Sequence, residues 1–130
     1  MTLSNTKGVD IIVSDQRLEK LCKLEVKTTT KLPSRERLFG NEKSFTWVMS
    51  SKHEKINEKS LYYCFVALQN ETTLPKFFIV PSSYVAWYVK WQHKKFLKSR
   101  KRKGAATNIR RFRIPITDPK KFENAWNKLS

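Results

Sequence analysis

Two short apolar runs near the start of the chain carry acids at matched places. In KGVDIIVSDQRLEKLCKLEVKTTT, residues 7–30, Asp10 opens the first run and Glu25 sits inside the second, two residues before Lys27. A turn in the polar stretch between them, centred between Arg17 and Leu18, makes the runs an antiparallel hairpin with Asp10 directly opposite Glu25. Strand alternation then puts Asp10, Ile12, Lys23, Glu25 and Lys27 on one face. Val9, Ile11, Val13, Cys22, Leu24 and Val26 form an apolar opposite face that is suited to cover a core. A slip of one residue scrambles this separation, so the pattern itself argues for the register.

Two carboxylates directly across an antiparallel pair have Cβ atoms about 5 Å apart and repel each other. A divalent cation turns that repulsion into a binding site. Mg²⁺, or Mn²⁺ in its place, takes oxygen ligands, typically one or two carboxylates completed by waters and substrate phosphate oxygens. Asp10 and Glu25 supply the carboxylates, and the backbone carbonyl of Val26 is a third candidate ligand. Lys27 projects on the same side, where an ammonium orients or helps deprotonate a water and offsets charge on a pentacovalent phosphate. These parts suit phosphodiester hydrolysis.

The rest of the chain must position this trio. The sequence predicts strands at residues 9–13, 21–28 and 45–49, with residues 31–44 between them as a loop punctuated by Pro33 and Gly40. Ser50 or Ser51 caps a short helix through SKHEKINEK, where Glu54 three residues after Ser51 fits a capping box. LYYCFVAL, residues 61–68, is uncharged throughout and reads as a central strand covered on both faces. KFFIV is a further strand ending at Pro81, and Ser82 or Ser83 caps a helix to about Lys98 with Val85, Val89 and Phe96 as its buried stripe and Tyr88 beside them. A basic loop follows at about 98–108. IRRFRIPI is a late strand, and Asp118 and Pro119 start a last helix packing Phe122, Trp126 and Leu129. The expected class is mixed α/β, an α+β mixed sheet flanked by helices, in a single domain over residues 1–130.

Charge is distributed unevenly. The 130 residues hold 27 Lys and Arg against 11 Asp and Glu, a formal net charge of +16. Residues 72–117 hold 12 of the basic side chains and no acid. Such a field is relieved by a polyanion, and nucleic acid is the expected partner, double-stranded DNA first. The candidate phosphate contacts are Lys94, Lys95, Lys98, Arg100, Lys101, Arg102 and Lys103, with Arg110, Arg111 and Arg113 on the late strand. No apolar stretch approaches the roughly 18 residues of a membrane span, and no charged start leads into an apolar signal region. Cys22 and Cys64 lack metal-ligand spacing and read as buried thiols of a cytoplasmic protein. His53 and His93 read as surface residues, and Trp87 and Trp91 as core or interface residues rather than a stacking surface for bases.

The strand-borne GVD followed by EVK resembles the PD-(D/E)xK nuclease superfamily, and the wider stretch NTKGVDIIV…LEVKTTT is similar to small bacterial members. The resemblance implies a restriction-endonuclease-like core and an Mg²⁺-dependent endodeoxyribonuclease. Asp10 and Glu25 take the metal-binding positions and Lys27 that of the catalytic lysine. The family usually has a helix and a strand ahead of the Asp strand, whereas only MTLSNTKGV precedes Asp10. That departure points to a partner subunit, with a homodimer as the simplest case, or to a reduced derivative. Two other classes fit the same residues: a nucleic-acid-binding protein with a degenerate nuclease fold, and a basic interaction protein that docks on an acidic partner.

Overall fold

The uncharged run at residues 61–67 is the centre around which the fold is built. The computed structural model describes residues 10–14, 20–70, 72–99 and 108–129. Its elements are β1 (Ile11–Ser14), β2 (Leu21–Thr29), β3 (Ser44–Ser50), β4 (Leu61–Ala67), β5 (Lys76–Pro81), α1 (Ser82–Ser99) and β6 (Ile109–Pro115), with 3-10 turns at Arg37–Phe39, Ser51–Glu54 and Trp126–Leu129. The class is α+β. A mixed four-stranded sheet runs β1-β2-β4-β5, and a separate antiparallel ribbon pairs β3 with β6.

The expected hairpin register is present. Ile11 pairs with Leu24, Ile12 with Lys23 and Val13 with Cys22, so the same register sets Asp10 against Glu25. The next pairing, β2 with β4, is parallel and aligns Glu25 with Tyr63 and Lys27 with Phe65. Antiparallel pairing of β4 with β5 continues these rows to Val80 and Phe78. Paired residues in a sheet project on one side, so Glu25 and Lys27 share the face of Tyr63, Phe65, Phe78 and Val80.

That face carries the larger core. Tyr63, Phe65 and Phe78 pack with Trp47 of β3, Phe112 of β6 and Val85 and Val89 of α1. Trp47 stands 4.9 Å from Phe65 between ring centroids, and Phe65 stands 4.6 Å from Phe112. The Trp47 indole N–H donates to the Val66 carbonyl at 3.0 Å, tying the ribbon to the sheet and satisfying a buried polar group. The apolar hairpin face covers a smaller cluster of Leu24, Cys64, Val66, Ile79 and Ala125. Sequence alternation therefore separates the two faces correctly, but the charged face lies beside the larger core instead of facing open solvent. Cys22 and Cys64 are buried free thiols, as expected.

Four expectations are corrected. The 3-10 turn Ser51–Glu54 replaces the longer helix after β3, and its cap joins Ser50 to His53 rather than Ser51 to Glu54. Phe96 is 37% exposed because α1 runs beyond the core at that end; its buried stripe is Val85, Ala86, Val89 and Gln92. No final α-helix forms. The Asp118 carboxylate accepts the backbone N–H groups of Phe122 and Glu123, and Asp118, Lys121 and Asn124 adopt positive φ, which halts a right-handed helix. The freed backbone pairs with β5 instead, through Ile79 N–H to Phe122 O and Asn124 N–H to Phe77 O. Finally, among the described residues one α-helix and a second sheet flank the four-stranded sheet, where several helices were expected. Arg100–Lys103 and most of the expected basic loop lie outside the described residues. Among those described, no helix is long and apolar enough to cross a membrane.

Candidate functional site

Glu25 is the residue around which the site is arranged. Its place in the row with Tyr63 and Val80 buries it to 5% exposure, at the margin of the larger core. Lys27 follows on the same face, and its Nζ stands 3.3 Å from Glu25 Oε1. From another element, His53 brings Nε2 to 3.8 Å from the same oxygen. At that distance the imidazole acts as a nearby N–H dipole, short of a full hydrogen bond.

His53 is 1% exposed, which corrects the surface reading. The turn after β3 folds its ring inward, edge-on to Tyr63 at 5.9 Å. Its Nδ1 accepts the Ser50 backbone N–H at 3.0 Å. Nδ1 also stands 3.1 Å from the Ser50 carbonyl; in the tautomer with Nδ1 as acceptor, Nε2 carries its proton toward Glu25. The sequence signal was a histidine three residues after a serine at the end of a strand, the spacing of a cap. Periodicity gave no hint that the cap would reach the neighbouring sheet.

Asp10 is exposed, just ahead of β1. Its Oδ2 accepts the Val26 N–H at 2.6 Å, so the carboxylate continues the β1–β2 pairing at the sheet edge. The hairpin thus brings Asp10, Glu25, Val26 and Lys27 together in register, and His53 and Tyr63 join them from β3's end and β4.

Burial acts on the Glu25 carboxyl by opposing its ionisation. The His53 N–H and the Lys27 ammonium outweigh that effect and hold it below the usual carboxylate range. Burial, with the Glu25 charge added, pushes the Tyr63 phenol well up. Tyr63 is therefore a neutral O–H at physiological pH.

Three buried polar atoms here have no hydrogen-bond partner: Glu25 Oε2, His53 Nε2 and the Tyr63 hydroxyl. Only one other such side-chain atom, Thr46 Oγ1, occurs among the described residues. Unsatisfied buried groups cost about 1–3 kcal/mol each, so their concentration at one place calls for a functional account. The donor set also suits a hard cation. Glu25 offers a dry oxygen, and Asp10 keeps a second oxygen beyond the one engaged by Val26. Among the described residues no group of three or more His, Cys, Asp or Glu side chains converges. Two carboxylates across one strand register are a partial ligand set of the kind a largely hydrated Mg²⁺ takes, and not a closed protein cage.

The basic residues divide by environment. Lys94, Lys95 and Lys98 lie on the exposed end of α1. Arg111 is exposed on β6, but Arg110 is engaged by Glu54, and Arg113 is buried with its guanidinium donating to Ser34 O at 2.9 Å. Trp87 and Trp91 are 57% and 37% exposed, which corrects the core reading. Comparison with protein-family models, with curated proteins and with solved structures returns no match.

Proposed function

We propose that this chain is a metal-dependent nuclease-like protein that hydrolyses phosphodiester bonds in nucleic acid, with DNA as the first substrate to test. The observation that carries the reading is the cluster of unsatisfied polar atoms at Glu25, His53 and Tyr63 beside the Lys27 ammonium. The β1–β2 register supports it, because it brings Asp10 to the same place. In this reading the β1–β2–β4–β5 sheet is a restriction-endonuclease-like core.

Asp10 and Glu25 would hold a divalent cation, with the Val26 carbonyl as a further candidate ligand. Such an ion would supply charge neutralisation at phosphate and a more acidic water. Lys27 directs its ammonium toward the attacking water and the developing charge on phosphorus. His53 lies beside the Glu25 carboxylate, and the unpaired Tyr63 hydroxyl is a neutral donor left for a bound water or substrate oxygen. The acid-free region at residues 72–117 draws the polyanion to the surface.

The test is cleavage of supercoiled plasmid and of single-stranded DNA with Mg²⁺ or Mn²⁺. Glu25→Gln and Lys27→Ala each reduce the rate by about 100-fold or more, the scale on which positioned acid–base and charge-stabilising groups act. Cleavage that survives both substitutions, or that never exceeds a metal-free control, overturns the proposal.

A second reading has its own observation. Asp10 already satisfies the Val26 N–H, so the edge of the hairpin has a structural use for this acid without a cation. A non-enzymatic nucleic-acid-binding protein with this fold then binds in a strongly salt-dependent manner, equally with and without metal.

A further inference from the structure

The exposed face of α1 holds a row that the hydrolytic site does not use. At 100° per residue, Trp87, Trp91, Lys94, Lys95 and Lys98 fall on one side of the helix. Trp87 and Trp91 stand nearly parallel, 12° between ring planes and 5.9 Å between centroids. Both are exposed, although a helix of this core already has its apolar stripe in Val85 and Val89, each fully buried. Two large flat rings held proud of the surface therefore need a different account.

Their neighbours hold them in place. Tyr84 braces Trp87 at 5.8 Å, and Tyr88 braces Trp91 at 5.6 Å. From the loop before β3, Phe39 meets Trp91 at 5.9 Å. That loop turns at Gly40, whose φ of +94° is readily adopted only by glycine. Lys95 lies over the Trp91 ring at 5.2 Å. A cleft of about 170 Å³ opens beside Trp91, lined also by Phe39, Tyr84, Tyr88, Arg113, Lys120 and one acid, Asp118, whose oxygens accept the Phe122 and Glu123 N–H groups.

We propose that this face binds single-stranded nucleic acid, with bases stacked on Trp87 and Trp91, backbone phosphates along Lys94, Lys95 and Lys98, and a further base entering the cleft over Arg113. The inference rests on the nucleic-acid reading above and assigns its substrate class. Aromatic platforms combined with a basic track are how strands are held without base pairing, because every unpaired base presents a flat face. A duplex keeps those faces stacked inside and has nothing to offer the rings. From Trp87 to Lys98 the helix rises about 16 Å, room for a few nucleotides.

Charge selects this occupant over others. The helix carries no acid, and no acid occurs anywhere from residue 72 to residue 117. A protein partner would bury these lysines, which interfaces normally exclude. A membrane surface requires a free apolar helix face opposite the charges. Here the apolar stripe lies in the core, and the rings are interleaved with lysines.

The test is binding of fluorescein-labelled oligothymidylate in EDTA, followed by anisotropy and by quenching of tryptophan emission, with a duplex of equal length alongside. The single strand quenches emission and binds more tightly than the duplex. Trp87→Ala and Trp91→Ala each weaken its binding about ten-fold. Trp91→Phe restores most of the loss, and each variant still unfolds cooperatively on heating because the buried stripe of α1 is Val85 and Val89. Unchanged affinity in both alanine variants overturns the proposal. So does binding to phosphatidylserine vesicles without binding to the oligonucleotide, or a shift in sedimentation showing that the rings join two copies of the chain. Trp-dependent binding with no cleavage by the parent refutes the hydrolytic reading alone. Glu25-dependent cleavage with unaltered binding in the alanine variants refutes this inference alone.

Discussion

Lys27 Nζ and Glu25 Oε1 meet at 3.3 Å on one face of β2, and the His53 ring approaches the same oxygen from a separate element. The carboxylate is therefore buried but charge-compensated, and that combination sets how the protein responds to acid. The folded-state pKa of Glu25 lies below its unfolded value, near the roughly 4.3 of a free glutamate. A depressed carboxyl contributes stability that is complete above the unfolded pKa and is lost as pH falls through the folded one. Thermal unfolding in EDTA should show the parent chain losing Tm steeply as pH drops below about 5. Glu25→Gln should start lower at neutral pH and fall less, so that the two curves approach each other. Parallel curves would show that Glu25 makes no such contribution.

Asp10 separates a structural role from a chemical one. Its Oδ2 holds the Val26 N–H at the sheet edge, and an asparagine carbonyl can accept that same hydrogen bond. Asp10→Asn should keep the stability of the parent within about 0.5 kcal/mol, whereas Asp10→Ala loses about 1 kcal/mol. Metal-dependent cleavage should be lost in both. An Asn variant that cuts at the parental rate would reduce Asp10 to an edge cap.

His53 is expected to be the most sensitive polar position outside the main core. It is 1% exposed, it accepts the Ser50 N–H, and it supports Glu25. His53→Ala removes a buried ring and strands a backbone donor, at a cost of about 2–4 kcal/mol in urea unfolding. A loss below about 0.5 kcal/mol, the level of ordinary surface changes, would contradict this placement.

Legibility in the sequence followed how local the cause was. The β1–β2 register could be read from alternation alone, because a slip of one residue mixes its two faces. The central position of β4 followed from its lack of charge. The shared face of Glu25 and Lys27 was visible for the same local reasons. His53 was not, since a lone histidine in a charged segment carries no periodic signal and its burial depends on how β3 packs across Tyr63. The core alternative for Trp87 and Trp91 failed because hydrophobicity alone favours burial, while the stripe of α1 had already been filled by Val85 and Val89.

The thiols give a direct check on the sheet's smaller face. Burial pushes the Cys64 thiol up to about 11, and Cys22 is 2% exposed with its Sγ directed at the Leu129 carbonyl at 3.5 Å. Thiolate is the reactive form, so Ellman's reagent at pH 8 should label neither cysteine in the native chain and both after denaturation. Rapid native labelling of Cys64 would mean that β4 is open on that face.

The C-terminal segment was expected as a helix because Phe122, Trp126 and Leu129 repeat at helical spacing. Asp118 overrides that pattern. Its two oxygens accept the N–H groups of Phe122 and Glu123 at 3.0 and 2.7 Å, closing a loop that lets Phe122 and Asn124 pair with β5. Phe122 is thereby buried against Tyr84 at 5.2 Å, while Trp126 stays 44% exposed. Removing the carboxylate frees both donors and the positive-φ turn that it stabilises. Asp118→Ala should cost about 1–2 kcal/mol, the range for losing a side-chain cap, and Asp118→Asn should retain roughly half of the interaction because only one of its polar atoms accepts. Hydrogen exchange of the Ile79 and Asn124 amides should rise in the alanine variant while the β2–β4 amides stay protected. If all amides rose together, Asp118 would be holding the whole sheet and not this strap.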